Sequence, residues 1–247
     1  MNKLFLTALA STYLFAQTEI YTYTVFMDYR EYENGSVIDK DYTNFGDLNG
    51  IGIFYKSKTK PLKFTLRAEF AGGESTYEGS TWDGTPLKNR QSGVYIFNFE
   101  SGVGVNYFFL TLGYREWNRG KSNYSGDYDE KYYWPYFGIR YDYHFFFNNF
   151  AFNPKISYQA AISPKLKVYL GNEPVLNLGY TDGAYIDLPL YFKTGNTVWY
   201  IFYKYQYWHI SKSDYAVLQT SSDRTLIYEP ESITRNQYLG AGFVFRF

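Results

Sequence analysis

Apolar and polar residues alternate along most of this 247-residue chain, and the alternation is clear at its C-terminus. Between Ile233 and Phe247 one face is apolar, while the other carries mainly small or polar residues. A period of two over this length predicts a β-strand with one apolar and one polar face. The apolar face consists of Leu239, Ala241, Phe243, Phe245 and Phe247.

The same pattern predicts nine further strands and therefore an all-β fold. Tight turns, near 57–61, 107, 148 and 194, alternate with longer polar segments such as 73–92, 119–131, 164–182 and 211–232. This rhythm is typical of a transmembrane antiparallel up-and-down β-barrel with both termini at the periplasmic end. Eight or twelve strands are the alternatives to ten. The predicted strands lie at about 19–32, 43–56, 62–73, 93–106, 107–118, 132–147, 150–163, 183–193, 197–210 and 233–247.

Three prolines interrupt the predicted strands. Pro135, Pro154 and Pro189 each remove a backbone donor from the sheet. We expect a β-bulge or a strand end at each of them.

The polar face of the predicted strands decides between a soluble and a membrane barrel. A soluble barrel with a dry interior would enclose these charges, at a cost of several kcal/mol for each unpaired one. A membrane barrel turns the aromatic face to lipid and the charges to the lumen, where we expect ion pairs. The charges that we assign to a lumen network are Arg67, Glu69, Glu100, Arg115, Arg140, Asp142 and Lys204.

The composition supports the membrane interpretation. The chain contains 30 Tyr and 22 Phe, and aromatic rings are enriched at both boundaries of a membrane barrel. Cysteine is absent, which excludes disulfides and thiolate metal sites. The net charge of zero argues against a nucleic-acid partner.

The N-terminus has the pattern of an export signal. Lys3 gives a basic start, and an apolar run with small residues follows as far as Ala16. We therefore predict a signal peptide at 1–16 and a barrel domain at 17–247. The apolar run is too short to span a bilayer as an anchor.

Two resemblances sharpen this prediction. The C-terminal strand resembles the closing strand of bacterial outer-membrane barrels. That resemblance implies pairing with the first strand and an assembly signal, formed by Phe243, Phe245 and Phe247, for the barrel-assembly machinery. The segments 185–191, 207–214 and 229–237 also resemble uncharacterised outer-membrane β-barrel proteins of proteobacteria, which implies no activity.

Two motifs raise the alternative of an enzyme. Asp142-Tyr143-His144 is similar to the Asp–His pair of omptin proteases, which are ten-stranded barrels. Omptin chemistry lies at the extracellular rim, whereas His144 precedes a predicted periplasmic turn, so we expect a lumen contact for it.

The second motif is His209-Ile210-Ser211, which is similar to the His-x-Ser of outer-membrane lipid A deacylases. By that resemblance Asp223 would complete a triad. Lys212 stands where the family has Asn, and those enzymes are smaller barrels.

An acidic segment is a weaker candidate for chemistry. Asp127, Asp129 and Glu130 could bind Ca²⁺, but exposed acidic loops are far more common than calcium sites. We predict no metal and no cofactor.

The sequence thus predicts an integral protein of the bacterial outer membrane with a narrow or plugged lumen. Its role would be that of a small pore, a structural protein or a surface-interaction protein. The alternative is a barrel enzyme acting on lipid A or peptides. The expected partners are outer-membrane lipid, lipopolysaccharide and the barrel-assembly machinery, and not nucleic acid.

Overall fold

The computed structural model describes residues 16–57, 61–81, 84–124, 126–147, 150–221 and 223–246. These residues form seventeen β-strands, and within them no helix is long and apolar enough to span a membrane. The strands are β1 (Ala16–Glu33), β2 (Ser36–Tyr42), β3 (Leu48–Ser57), β4 (Leu62–Ser80), β5 (Pro86–Val105), β6 (Phe108–Asn118), β7 (Glu130–Asp142), β8 (Phe145–Phe146), β9 (Phe150–Phe152), β10 (Lys155–Ala161), β11 (Lys165–Val168), β12 (Val175–Asn177), β13 (Thr181–Thr194), β14 (Thr197–Ile210), β15 (Ala216–Gln219), β16 (Arg224–Ile227) and β17 (Glu231–Arg246).

Fifteen of these strands form one sheet that closes on itself. The first and last strands pair antiparallel from Gln17↔Arg246 to Tyr32↔Glu231. Several consecutive short strands continue one another and count as a single barrel strand, for example β2 with β3, and β9 with β10 and β11. The barrel therefore has ten strands. The prediction of a closed ten-stranded antiparallel barrel is confirmed.

The outer wall is apolar around the middle of the barrel. Ile51, Leu66, Leu110, Ile139 and Leu239 are each between 46 and 66 % exposed. A continuous belt of exposed aliphatic and aromatic side chains is stable in lipid and not in water. Above the belt the wall becomes polar, as on β1, where the outward positions after Phe26 are Asp28 and Arg30.

The first strand shows that apolar residues also fill the interior. Tyr21, Tyr23, Val25, Met27 and Tyr29 of β1 all point inward and are at most 6 % exposed. Room for two of these rings comes from Gly50 and Gly52 of β3, where a Cβ atom would lie 2.4 Å from the Tyr23 ring and 2.3 Å from the Tyr21 ring.

The connections differ in length at the two ends, but two polar segments are more ordered than predicted. The segment predicted as a long loop at 73–92 is largely strand, because β4 extends to Ser80 and β5 starts at Pro86. Likewise, β1 and β2 form a hairpin through Asn34 and Gly35, both with positive φ. Above the membrane both faces of a strand contact water, so the strand carries no apolar alternation there.

The three prolines lie where the sheet is irregular. Between β7 and its neighbours, Ala161 pairs with Tyr136 but Lys165 pairs with Tyr133, so one extra residue bulges opposite Pro135. Pro154 separates β9 from β10. Pro189 faces the same break, because its carbonyl accepts a hydrogen bond from the Asn153 amide. The expected irregularity is present as a strand end at Pro154 and as a bulge in the strand opposite Pro135. The prediction is wrong for Pro189, because β13 continues through it in register with β14 and its missing donor faces the gap between β9 and β10.

Candidate functional site in the barrel interior

The barrel interior contains two separate groups of buried charges. The charged layer lies at the level of the apolar belt and holds five cations and five carboxylates, all at most 7 % exposed. The upper cluster lies above the belt and holds one cation and four carboxylates. The charged layer consists of Glu19, Arg67, Glu69, Glu100, Arg115, Arg140, Asp142, Lys155, Asp187 and Lys204, and the upper cluster of Glu31, Asp41, Arg119, Glu130 and Glu229.

Arg140 on β7 connects three strands of the charged layer. Its guanidinium donates to Glu100 at 2.6 Å, to Asp142 at 2.7 Å and to Thr65 at 3.1 Å. Glu100 also accepts hydrogen bonds from Tyr185 and Gln159. Such pairing allows charges to be held at this depth, because a buried ion needs partners for most of its hydrogen-bonding sites.

Two further ion pairs cross the lumen. Asp187 on β13 accepts from Arg67 on β4 at 2.8 Å, and Lys204 on β14 reaches both oxygens of Glu69 on β4, at 2.6 and 2.7 Å. These two pairs link separate walls of the barrel. Asp187 also accepts from Lys155 at 3.0 Å, which lies beside it on the adjacent strand β10.

The remaining two charges of the layer are bound by neutral groups. Arg115 donates to Asn98 at 2.9 Å and to Gln206 at 3.0 Å. Glu19 accepts from the Tyr191 hydroxyl at 3.0 Å. The structure therefore brings together all seven residues assigned to a lumen network, and adds Glu19, Lys155 and Asp187.

The charged layer is densely packed. Two cavities among its side chains have volumes of about 10 Å³ each, too little for more than one water molecule. Side chains fill an eight-stranded barrel and are expected nearly to fill a ten-stranded one.

An aromatic layer separates the charged layer from the upper cluster. Trp117 stacks on Tyr132 with ring centroids 4.7 Å apart and contacts Tyr29 at 4.8 Å. Trp134 packs edge-on against Trp208 at 5.1 Å. These five side chains are at most 1 % exposed, so they form an apolar barrier across the lumen.

The upper cluster is organised around Arg119, which follows β6. Its guanidinium donates to Glu31 at 2.8 Å, to Glu130 at 2.7 Å and to Asp41 at short range. The fourth carboxylate, Glu229, contacts no cation among the described residues. It accepts from the hydroxyl groups of Tyr29 at 2.6 Å and Tyr132 at 2.7 Å.

Each of the four carboxylates leaves one oxygen without a hydrogen bond; that of Asp41 is buried away from the cavity above the cluster, whereas the other three carboxylates line this cavity. Glu31, Glu130 and Glu229 each use one side-chain oxygen in the hydrogen bonds above. Within the described ranges of the chain, no hydrogen bond reaches the second oxygen of any of the three. All three line an open cavity of about 770 Å³, which we call the vestibule. The free oxygens are thus hydrogen-bond acceptors available to a ligand.

Burial raises the pKa values of three of these carboxylates, and the excess of negative charge adds to the effect. Burial, with the nearby Glu130, raises the pKa of Glu229 to about 8. Burial and Glu229 raise the pKa of Glu31 well above its usual range. Burial raises the pKa of Asp41 to about 6, although Arg119 opposes the shift. One guanidinium is too little positive charge to hold four buried carboxylates fully ionised at neutral pH.

The candidate lipid A deacylase residues do not form a triad. His209 lies on the outer side of β14, where its ring contacts Asp182 at 3.5 Å and Glu231 at 3.0 Å. Asp223 instead contacts Thr220 and Arg224 in the turn of the β15–β16 hairpin. Ser211 pairs through its backbone with Gly179 and Tyr180.

The residues of the candidate Asp–His pair are joined through Lys56, whose ammonium lies 3.8 Å from Asp142 and 3.3 Å from His144. Asp142 also binds Arg140 in the charged layer, and His144 stacks on Phe146 near the periplasmic end. The Asn148-Asn149 turn that follows lies outside the described residues.

The acidic segment 127–130 does not form a metal site. Asp127 accepts from the backbone amides of Ser122 and Tyr128, and Glu130 binds Arg119. In the part of the chain that the structure describes, no group of three or more His, Asp or Glu could hold a metal ion.

Glu130 is the one member of the upper cluster that the sequence singles out, as a candidate calcium ligand. Glu31 continues the inward alternation of Met27 and Tyr29 on β1, and this was its only signal. Arg119 and Glu229 lie in segments predicted as loops. Nothing in a loop sequence indicates which side chains turn into the lumen.

The closing strand places its aromatic side chains outward. Phe243 and Phe245 are 57 and 46 % exposed on the lipid-facing wall. Phe247, the third member of the predicted assembly signal, lies outside the described residues, as does the predicted signal peptide up to residue 15.

Comparison with known proteins gives the fold alone. No protein-family model matches the sequence, and no curated protein matches it. The chain is similar to the outer membrane protease OmpT from Escherichia coli, with a TM-score of 0.59 and 13% identity over 96% of this chain and 98% of that one. It also matches Neisserial surface protein A, with a TM-score of 0.41 and 10% identity over 94% of this chain and 97% of that one. The architecture is that of bacterial outer-membrane barrels, in agreement with the predicted location.

Proposed function

We propose that this protein is a bacterial outer-membrane β-barrel whose lumen is plugged by its own side chains. Its role is structural or one of surface interaction, and the vestibule is the part of the interior that is open to the extracellular side. The observation that carries this proposal is the charged layer, where ion pairs span the lumen and leave cavities of only about 10 Å³. The aromatic layer above it supports the same conclusion.

Planar-bilayer recording tests the plug. The purified, folded barrel should give little or no conductance, because an ion would have to displace buried pairs and cross an apolar layer. A 16-stranded porin inserted in the same bilayer is the positive control. Steady conductance comparable to that porin would contradict a plugged lumen.

We also propose the route by which the chain reaches the membrane. Residues 1–16 direct export, and the C-terminal strand is read by the barrel-assembly machinery. The support is the pairing of β1 with β17 and the outward Phe243 and Phe245. Deletion of Phe247 should impair assembly while leaving export intact, which membrane fractionation measures; normal assembly without Phe247 would contradict the signal.

Outer-membrane lipid and lipopolysaccharide are proposed as the surroundings of the barrel. The apolar belt and the polar outer wall above it support this proposal. Binding of lipopolysaccharide to the folded barrel, measured against a phospholipid control, would test it.

A further inference from the structure

A second cavity opens beside the vestibule and has a different character. Its volume is about 220 Å³. We call it the apolar chamber, because six aliphatic side chains line it together with Tyr128 and Tyr228. The aliphatic residues are Leu166, Val168, Leu176, Leu218, Leu226 and Ile227.

The apolar chamber is enclosed by two hairpins. One consists of β11 and β12, and the other of β15 and β16, which pair only with each other. Three hydrogen bonds join the hairpins: the amide of Asn172 donates to the Gln219 carbonyl, and the Asn172 side chain contacts the backbone of Gln219 and Val217. These bonds fix the position of one hairpin relative to the other.

The vestibule and the apolar chamber meet at two carboxylates. Glu130 and Glu229 line both cavities, as do Tyr128 and Tyr228. Glu130 is 7 % and Glu229 4 % exposed, and each has a free oxygen. An apolar space therefore opens directly beside two buried carboxyl groups, each with an oxygen that no hydrogen bond uses.

The charges around the vestibule are strongly unbalanced. Among the described residues that line it, Arg119 is the one cation. Lys212 lies nearby, over the Tyr228 ring, 3.8 Å from its centroid. The carboxylates that line the vestibule are Glu31, Glu33, Asp39, Asp127, Glu130 and Glu229. This excess favours a positively charged ligand.

We propose that the two cavities together bind a cationic amphiphile, a molecule with an ammonium or guanidinium group attached to an aliphatic chain. The cationic group lies between Glu130 and Glu229 and donates to their free oxygens. The aliphatic chain enters the apolar chamber, whose volume exceeds that of the ~150 Å³ apolar cavity known to take up benzene. This proposal assigns a ligand class to the surface-interaction role proposed above.

Binding of such a cation is coupled to protons. Glu229 faces Tyr29 and Glu31 from β1, Glu130 and Tyr132 from β7, and Arg119. With a pKa near 8, it is largely protonated at pH 7 in the empty protein. A bound cation favours the ionised form, so affinity should rise with pH up to about 8 and each binding event at pH 7 should release a proton.

The test is a calorimetric titration of the full barrel in lipid nanodiscs with hexylammonium, and empty nanodiscs serve as the blank. Hexylammonium should bind. Hexanol, which lacks the charge, and ammonium, which lacks the aliphatic chain, should each bind at least about tenfold more weakly. Hexane-1,6-diammonium should also bind more weakly, since its second charge would enter the apolar chamber. Equal binding of hexanol, or tighter binding of the diammonium, would overturn the proposal.

Two variants locate the site. Glu229→Gln keeps an acceptor for Tyr29 and Tyr132 but should weaken hexylammonium binding by about tenfold or more and abolish the proton release. Val168→Phe should fill the apolar chamber and weaken hexylammonium without affecting ammonium. Glu74→Gln, on the exposed outer wall, is the matched control and should change nothing.

Unchanged affinity in Glu229→Gln would place the binding elsewhere and refute the assignment. This outcome is separate from that of the bilayer recording. A conducting barrel would refute the plug while leaving the titration interpretable, and a plugged barrel that binds no hexylammonium would refute only the ligand assignment.

Discussion

The charged layer and the upper cluster lie in one barrel and contain the same kinds of side chain, but their buried charges are stabilised in different ways. In the charged layer five cations meet five carboxylates, and the cavities between them are about 10 Å³ each. In the upper cluster one guanidinium faces four carboxylates beside a cavity of about 770 Å³.

The difference follows from the surroundings of each group. At the level of the lipid belt no water reaches the wall, so a lumen charge is tolerated only when a partner of opposite sign or neutral hydrogen-bonding groups satisfy it. Above the belt, water and protons have access, and surplus carboxylates can be neutralised by protonation. The lower region is therefore suited to stabilising the barrel, and the upper region retains carboxylate oxygens that can bind a ligand.

The largest expected effect comes from breaking a pair in the charged layer. Asp187→Asn leaves Arg67 and Lys155 buried without their common carboxylate. We expect the free energy of unfolding in lipid vesicles to fall by about 3–5 kcal/mol. The neighbouring Ser157→Ala, which removes a buried polar group but no charge, is the control, and a similar loss in both variants would argue against the importance of pairing.

Removal of the single cation of the upper cluster should have a smaller effect. Arg119→Met deprives Glu31, Asp41 and Glu130 of their common partner. We expect a loss of about 2 kcal/mol at neutral pH, less than for Asp187→Asn because the carboxylates can take up protons instead. The loss should grow between pH 5 and pH 8, measured by urea unfolding at both pH values. A loss that does not depend on pH would contradict this explanation.

The smallest expected effect on the free energy of unfolding comes from a change at Glu229. Unlike the two variants above, this change should favour stability as the pH rises. Its pKa is raised in the folded state, so its contribution to stability is fully present below the unfolded pKa of about 4.5 and is lost as pH rises through about 8. Glu229→Gln should remove this decline, and the variant should be less sensitive than the native protein between pH 5 and pH 8. Parallel pH profiles of unfolding for the two proteins would show that Glu229 is not the group responsible.

The sequence was informative where lipid contacts one face of a strand. Leu62 to Phe70 alternate between lipid-facing and lumen-facing residues, and such runs were enough to predict ten strands and their closure. The alternation disappears above the belt, where Glu74, Thr76 and Glu78 face water on the outer wall of β4. For that reason the extended upper hairpins were predicted as loops.

The pairing of charges required the structure. Strand patterns indicate that Arg67 and Asp187 point inward, but they do not place these residues 2.8 Å apart across the lumen when 120 positions separate them in the chain. The upper cluster was still less accessible, because Arg119 and Glu229 come from loops whose direction depends on contacts with Asp41, Tyr29 and Tyr132.

The central claim, that the interior is open above the aromatic layer and closed below it, can be tested with two matched cysteine variants in this cysteine-free chain. Gln91 lines the vestibule and Gln159 lies in the charged layer; both point inward, at 4 and 1 % exposure. In the folded barrel a water-soluble maleimide should label Gln91→Cys and should leave Gln159→Cys unlabelled until the protein is denatured. Equal labelling rates of the two cysteines in the folded barrel would contradict the claim.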